Sequence, residues 1–253
     1  MTQVRLIVEE EIAEMRLDNP SKLNALTMGM IEALESHAEF VEANHKIRAM
    51  LITAEGTRAF CVGADIKAWA DLSPRAFSRD WVKKGHRVFD RIARMPIPVI
   101  GVISGHAFGG GLELAAACDL RIASPKATFA LPETGVGIVP GWSGTQRLAG
   151  QIPAAILKEM ALTGSKISAE RAYQIGFLNE VSNDPLAAAR AMAERIVSAA
   201  PQATETAKWM AASALGEDVG ANIEALASAA MAPTAEKAEG VAAFAAKRKP
   251  EFG

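Results

Sequence analysis

Cysteine is scarce in this chain: 253 residues hold only two, Cys61 and Cys118. They match neither a zinc pattern nor a redox pair, and two are too few for a disulfide framework. Both read as reduced thiols in apolar surroundings, where a free cysteine packs as a small hydrophobe. Aromatic residues make up only 6% of the chain, with a single tyrosine. Net charge is almost absent, at −2, so no global field favours nucleic acid or an anionic membrane. Any bound anion must be held by local groups. Long apolar runs are missing as well. The longest, residues 97–103, contains Pro98 and Gly101 and falls far short of the roughly 20 residues a membrane helix needs. The opening MTQVRLIVEEE has no apolar h-region and does not read as a secretory signal, so a reducing cytoplasm is the expected location. No His/Cys/Asp cluster has metal-ligand spacing, so no metal is expected.

What is present suits a soluble enzyme. Half of the residues are hydrophobic and 22% are charged, which supports a sizeable core. Residues 4–8 and 12–17 read as two strands joined by an acidic turn. Thr27 is a plausible N-cap for a helix to about Asn44, with Ile31, Leu34, Ala38 and Val41 at helical spacing. Strands are expected at 49–53, 99–103 and 119–123, and a loop over 54–63. The run at 99–103 is continuously apolar, as when both faces of a strand are covered. Ser73-Pro74, Ser168, Asp184-Pro185 and Ala200-Pro201 look like helix starts. From about Gly141 onward the text is helical and alanine-rich. Strand, helix and strand alternate first and helices follow, so an α/β core with a helical C-terminal part is expected. No internal sequence repeat is visible.

Two glycine-bearing turns are candidates for a site. One is Phe60-Cys61-Val62-Gly63-Ala64-Asp65-Ile66; the other runs from Ser104 through Gly109-Gly110-Gly111 to Leu112-Glu113-Leu114. Consecutive glycines cost backbone entropy and make sense where the backbone approaches a ligand closely. At a helix start they present unpaired N–H groups and the positive end of the dipole, which suits an oxyanion. No P-loop, no G-x-G-x-x-G and no G-x-S-x-G occurs, so nucleotide-binding and hydrolase-elbow readings are unsupported. A tight strand-to-helix turn without a ligand remains open here. Two carboxylates stand nearby. Glu113 lies in the first helical turn after the glycines, where an acidic side chain also serves to compensate the dipole. Glu133 is bracketed by Pro132 and, beyond Thr134, Gly135, which suggests a rigid, exposed turn. Spacing alone does not bring the two together.

At these residues the chain resembles the crotonase superfamily, specifically its enoyl-CoA hydratase members. Four blocks carry the resemblance in order: Asn19-Pro20 with Lys22-Leu23-Asn24-Ala25-Leu26; residues 59–66; Gly109 to Leu114 with Cys118-Asp119; and Pro132-Glu133 with residues 137–141 and 144–148. Phe244 with Lys247-Arg248 matches the family's ending. The resemblance implies a crotonase-like spiral of repeated ββα units over 1–195. It implies a helical C-terminal trimerisation region over 196–253 and a homo-hexamer built as a dimer of trimers. It implies an acyl-CoA thioester whose oxygen is held by the amides of Ala64 and Gly110. Glu113 would activate water and Glu133 would deliver a proton to the α carbon. Members that only isomerise double bonds generally need one carboxylate, at the Glu133 position; both are present here, which favours hydration. Coenzyme A would be part of the substrate, and no separate cofactor is implied. By similarity Ala64, Asp65, Ile66 and Lys67 line its path, with Lys22 and Lys67 as phosphate contacts and Phe244 and Lys247 as further contacts, across a subunit boundary.

One block departs from the pattern. Many hydratases carry small residues where this chain has Trp142 and Ser143. Trp142 is a candidate for shaping the acyl pocket, as is Trp69, with Phe77 and Trp81 in the same variable stretch; ordinary core packing is the alternative. His106 is expected to be structural. Competing readings are a double-bond isomerase, a hydratase for a cyclic or aromatic acyl-CoA, and a CoA-binding protein without catalysis.

Overall fold

The computed structural model describes residues 3–252. Strands β1 (Gln3–Glu9) and β2 (Ile12–Asp18) form an antiparallel hairpin. Helix α1 (Met28–Ala43) follows, capped by Thr27, whose hydroxyl accepts the Met30 N–H at 3.3 Å. It buries Met30, Ile31, Leu34, Ala38 and Val41, the stripe its spacing predicts. Then come β3 (Ala49–Ala54), β4 (Ala59–Cys61), the short α2 (Pro74–Ala76), a π-helical segment (Phe77–Val82) and α3 (Lys83–Ala93). The chain continues through β5 (Val99–Ile103), β6 (His106–Phe108), α4 (Gly110–Ala116), β7 (Leu120–Ala123), β8 (Thr128–Ala130), α5 (Gly144–Gln151) and α6 (Ala154–Thr163). It ends with β9 (Lys166–Ser168), α7 (Ala169–Gln174), β10 (Glu180–Val181), α8 (Pro185–Val197), α9 (Pro201–Ala214), α10 (Val219–Met231) and α11 (Ala235–Ala245).

The strands form two sheets, ordered β1-β2-β3-β5-β7-β10 and β4-β6-β8-β9. Their order exposes a repeat that is geometric rather than textual. β3, β5 and β7 lie side by side and parallel in the larger sheet, and the strand after each, β4, β6 and β8, lies parallel in the smaller one. A helix closes each turn: α3, α4 and α5. The result is the ββα spiral. Alternation along the central strands explains their unbroken apolar text. Met50 and Ile52 of β3, with Val99 and Ile103 of β5, enter the main core. Leu51, Ile100 and Val102 point to the other face, where Ala189 and Ala193 of α8 cover them. A strand buried on both faces needs apolar residues at every position.

One compact unit extends through Glu205 and a second begins at Thr206. The division at 195–196 read from the sequence falls inside α8, which packs on the larger sheet. Within the second unit, Asn222 Nδ2 donates to the Trp209 carbonyl at 3.3 Å and to Ser213 Oγ at 3.0 Å, joining the end of α9 to α10. Arg248 pairs with Glu239 beside α11. Met210, Leu215, Ile223, Met231, Val241 and Phe244 are exposed there. Among the described residues, no helix is long and apolar enough to cross a membrane.

Candidate active site

The small sheet determines where the site forms. β4, β6 and β8 run parallel, so their carboxyl ends open on the same side. Residues 62–64, 109–110 and 131–133 follow those three ends directly. Crevices at the carboxyl ends of parallel strands are where ligands bind in open α/β sheets. Here a cavity of about 170 Å³ opens there, lined by Ala64, Gly110, Glu113, Glu133 and an apolar wall.

The first loop is held by the segment after β2. Asn24 accepts the Asn19 N–H and donates to the carbonyls of Glu55 and Ala59, at 2.9–3.0 Å. This fixes Leu26 beside Ala64: the Leu26 N–H donates to the Gly63 carbonyl and the Asp65 N–H to the Leu26 carbonyl, both at 2.8 Å. With its neighbours' groups turned toward Leu26, the Ala64 N–H faces the other way, since N–H directions alternate along extended chain. The second loop lies against the first. A Cβ on Gly63 would stand 3.3 Å from the Gly110 nitrogen. Gly110 opens α4, where first-turn N–H groups have no intrahelical acceptor. Gly109 before it has φ +51° and ψ −125°, a conformation glycine adopts readily.

The two carboxylates meet at this cavity from different elements and in different electrostatic situations. Glu113, in the first turn of α4, is buried. Its Oε1 accepts two backbone N–H bonds, from Trp142 at 2.8 Å and Gly144 at 2.9 Å. Burial pushes its pKa up; the two donors and the Arg147 charge pull the other way. The two donors flank Ser143, whose φ of +71° is left-handed. Successive N–H groups around such a residue make an anion-binding nest. For a residue other than glycine, that conformation costs about 1–2 kcal/mol. Gly144 has no room for a side chain, because a Cβ would lie 2.4 Å from Glu113 Cγ.

Glu133 begins the short 3₁₀ turn Glu133–Val136 after β8. The bracketing residues suggested an exposed side chain; it is buried instead, with 8% exposure. The carboxyl turns inward against Gly109, where a Cβ would sit 2.8 Å from Oε1. Its Oε2 is buried and has no hydrogen-bond partner among the described residues. Burial pushes the Glu133 pKa up to about 7; a hydrogen bond with its own backbone opposes it, and the Glu113 charge adds a smaller upward push. Two carboxyls with displaced pKa values in one cleft mark a functional site.

The remaining predicted residues divide into two groups. Lys22 Nζ donates to Asp65 Oδ2 at 2.7 Å, and the Lys67 N–H donates to Asp65 Oδ1 at 3.2 Å. The Lys22 ammonium holds the Asp65 carboxyl below its ordinary value. Lys22, Lys67 and Ile66 are exposed beside Ala64, at the rim rather than in the depth. Trp142 and Trp69 both line the cavity, together with Phe77 and Trp81. The Trp142 indole is wedged between two helices: a Cβ on Gly85 of α3 or on Gly110 of α4 would stand 2.3–2.7 Å from its ring. It packs on Trp81 and Phe89, with centroids 5.1 and 5.2 Å away. His106 stands apart, bonded through Nδ1 to Thr128 Oγ1 at 2.8 Å and stacked on Phe108. Cys61 and Cys118 are both buried, and burial pushes the Cys61 thiol up to about 12.

A side-chain network behind the nest was not foreseen. Ser143 Oγ lies 2.8 Å from His86 Nδ1 and donates to Asp90 Oδ1 at 3.3 Å. Asp90 also pairs with Arg147. The i,i+4 spacing of His86 and Asp90 on α3, and of Ser143 and Arg147, was readable. Their meeting across more than fifty residues was not.

Residues 8–253 match the family model described as enoyl-CoA hydratase/isomerase. A crotonyl-CoA hydratase from Syntrophomonas wolfei is 34% identical, over 96% of this chain and 95% of its own length. A short-chain-enoyl-CoA hydratase from Clostridium acetobutylicum is 32% identical over 99% and 97%. The crystal structure of an enoyl-CoA hydratase from Bacillus anthracis superposes with a TM-score of 0.82 at 31% identity, covering 98% of each chain.

Proposed function

This chain belongs to the enoyl-CoA hydratase/isomerase family, and from that premise we propose that it catalyses reversible syn hydration of a 2-trans-enoyl-CoA to a 3-hydroxyacyl-CoA. One observation carries the reading: two buried carboxyls, one held by two N–H donors and one with an unpartnered oxygen, border a single cavity beside the Ala64 and Gly110 amides. Glu113, whose charged form the nest stabilises, takes a proton from water as its oxygen bonds to the β carbon. The π electrons move onto the thioester oxygen, where the Ala64 and Gly110 N–H groups hold the enolate. Losing one such donor typically costs roughly 10²–10³ in rate. Glu133, kept protonated by burial and by the Glu113 charge, gives its proton to the α carbon. Asp65, Ile66 and Lys67 follow Ala64 along the coenzyme path, with Lys22 and Lys67 as phosphate partners. The reaction as written needs no cofactor beyond the coenzyme A of the substrate. Crotonyl-CoA loses its conjugated-thioester absorbance on hydration; a catalytic amount of the protein should remove it, and persistent absorbance sinks the proposal.

The acyl group is a short one in this reading. Its cavity, about 170 Å³, is small beside the roughly 300–1,000 Å³ usual for small-molecule pockets. Trp142 closes its depth and Trp69 its side. Trp142→Leu should therefore raise the ratio of kcat/KM for a ten-carbon over a four-carbon enoyl-CoA by roughly tenfold or more, since one methylene in an apolar pocket is worth about tenfold or better. An unchanged ratio removes Trp142 as the limit. The aromatic wall of Trp69, Phe77, Trp81 and Trp142 favours one second reading, a cyclic or aromatic acyl-CoA. The same panel, extended to ring-bearing thioesters, decides between them.

The exposed apolar side chains of the second unit support a homo-hexamer, and the cytoplasm is the proposed location. Sedimentation should give a mass of six chains; a monomer at assay concentration rejects the assembly.

A further inference from the structure

We infer that Ser143, together with His86, Asp90 and Arg147, forms a positioning device that holds the nest around Glu113. The inference rests on Glu113 acting as the base. Both N–H groups reach Oε1 only because Ser143 adopts a left-handed conformation that a serine does not favour. Something must hold it there. Its buried hydroxyl is bonded to His86 and Asp90, both on α3, and the Asp90 carboxylate binds Arg147 one turn into α5. His86 and Asp90 are neighbours one turn apart on α3, with His86 Nε2 3.3 Å from Asp90 Oδ2. The Arg147 N–H in turn donates to the Ser143 carbonyl at 3.0 Å. The first turn of α5, which supplies the Gly144 donor, is thus tied to α3 at two points. None of the four side chains lines the cavity, so each acts through Glu113 rather than on substrate.

Ser143→Ala is the informative variant, because alanine keeps the cost of the left-handed conformation while the tether is lost. Asp90→Asn, which removes the charge that Arg147 answers, is the second. Each should lower kcat on crotonyl-CoA by about 10–100-fold with KM within about twofold, as expected when a catalytic group drifts from its place. Ser143→Gly is the rescue: glycine takes the left-handed conformation without penalty, so its kcat should stay close to that of the wild type although the hydroxyl is gone. The groups facing Glu113 are Glu133 and Arg147, and neither is changed in Ser143→Ala. Loosened N–H bonds there favour the charged carboxyl less, so the acid limb of kcat/KM should also move to higher pH. Wild-type kcat in Ser143→Ala, or Ser143→Gly as impaired as Ser143→Ala, overturns the inference while leaving hydration intact. Absence of hydration by the wild type overturns both.

Discussion

Glu133→Gln should lower kcat/KM for crotonyl-CoA by on the order of 10²–10⁴, the span of a positioned acid or base. Glu113→Gln should fall in the same range. In both, acyl-CoA binding should persist, because the Ala64 and Gly110 amides and the Lys22–Asp65–Lys67 rim are unchanged. Full activity in either variant rejects the two-carboxyl mechanism. The wild-type pH profile follows from the same pair. Hydration uses Glu113 ionised and Glu133 protonated; dehydration uses the reverse. Both forms carry one proton on the pair, so kcat/KM in both directions shares one bell. Its limbs belong to the pair rather than to either residue. With Glu133 raised to about 7, the shared proton leaves as pH rises through that value, and activity present below it falls by about tenfold per unit above. A profile flat from pH 6 to 9 contradicts the assignment.

The largest effect on stability is expected at Gly111. A Cβ there would lie 2.0 Å from the Cys61 carbonyl oxygen and 2.7 Å from its carbon. Both are backbone atoms of β4 and have nowhere to move without shifting a strand. Overpacking costs about 1–3 kcal/mol and occasionally more. Alanine's helix preference over glycine, about 1 kcal/mol, offsets part of it. A net loss of about 2 kcal/mol corresponds to a fall in melting temperature of roughly 4–8 °C for a chain of this size. Gly150→Ala is the matched control: it is exposed in α5, and a Cβ there meets nothing within 4 Å. It should raise stability by about 0.4–1 kcal/mol. Equal melting temperatures for the two variants contradict the packing described between α4 and β4.

In the larger sheet β1, β2, β3, β5 and β7 were readable because each carries four or more residues, continuously apolar where α8 covers the second face; β10, with two, was not. The smaller sheet was not. β4, β6 and β8 have three residues each, and β4 and β6 fall in stretches that read as loop or glycine turn. Three residues establish no period. Yet those strands place the catalytic groups, which is why Glu113 and Glu133 were legible only as separate candidates until the family resemblance linked them. The burial of Glu133 was misread because proline and glycine report backbone shape, not the direction of the side chain between them. The Ser143 network could not be read as a unit: His86, Asp90 and Arg147 sit in ordinary helical text, Ser143 stood out only as a departure from its block, and only contacts between α3 and α5 join them.

The π-helical segment at Phe77–Val82 has a consequence for the shape of the cavity. Gly109, Gly110 and Gly144 leave no slack, since a Cβ at each would stand under 3 Å from Glu133, Trp142 or Glu113. Phe77, Trp81 and Val82, by contrast, reach the cavity as side chains from a wound segment outside both sheets. Such irregular turns recur at functional sites. The shape of the cavity can therefore change through side chains of this wall while the glycine turns beside the two carboxyls stay as they are.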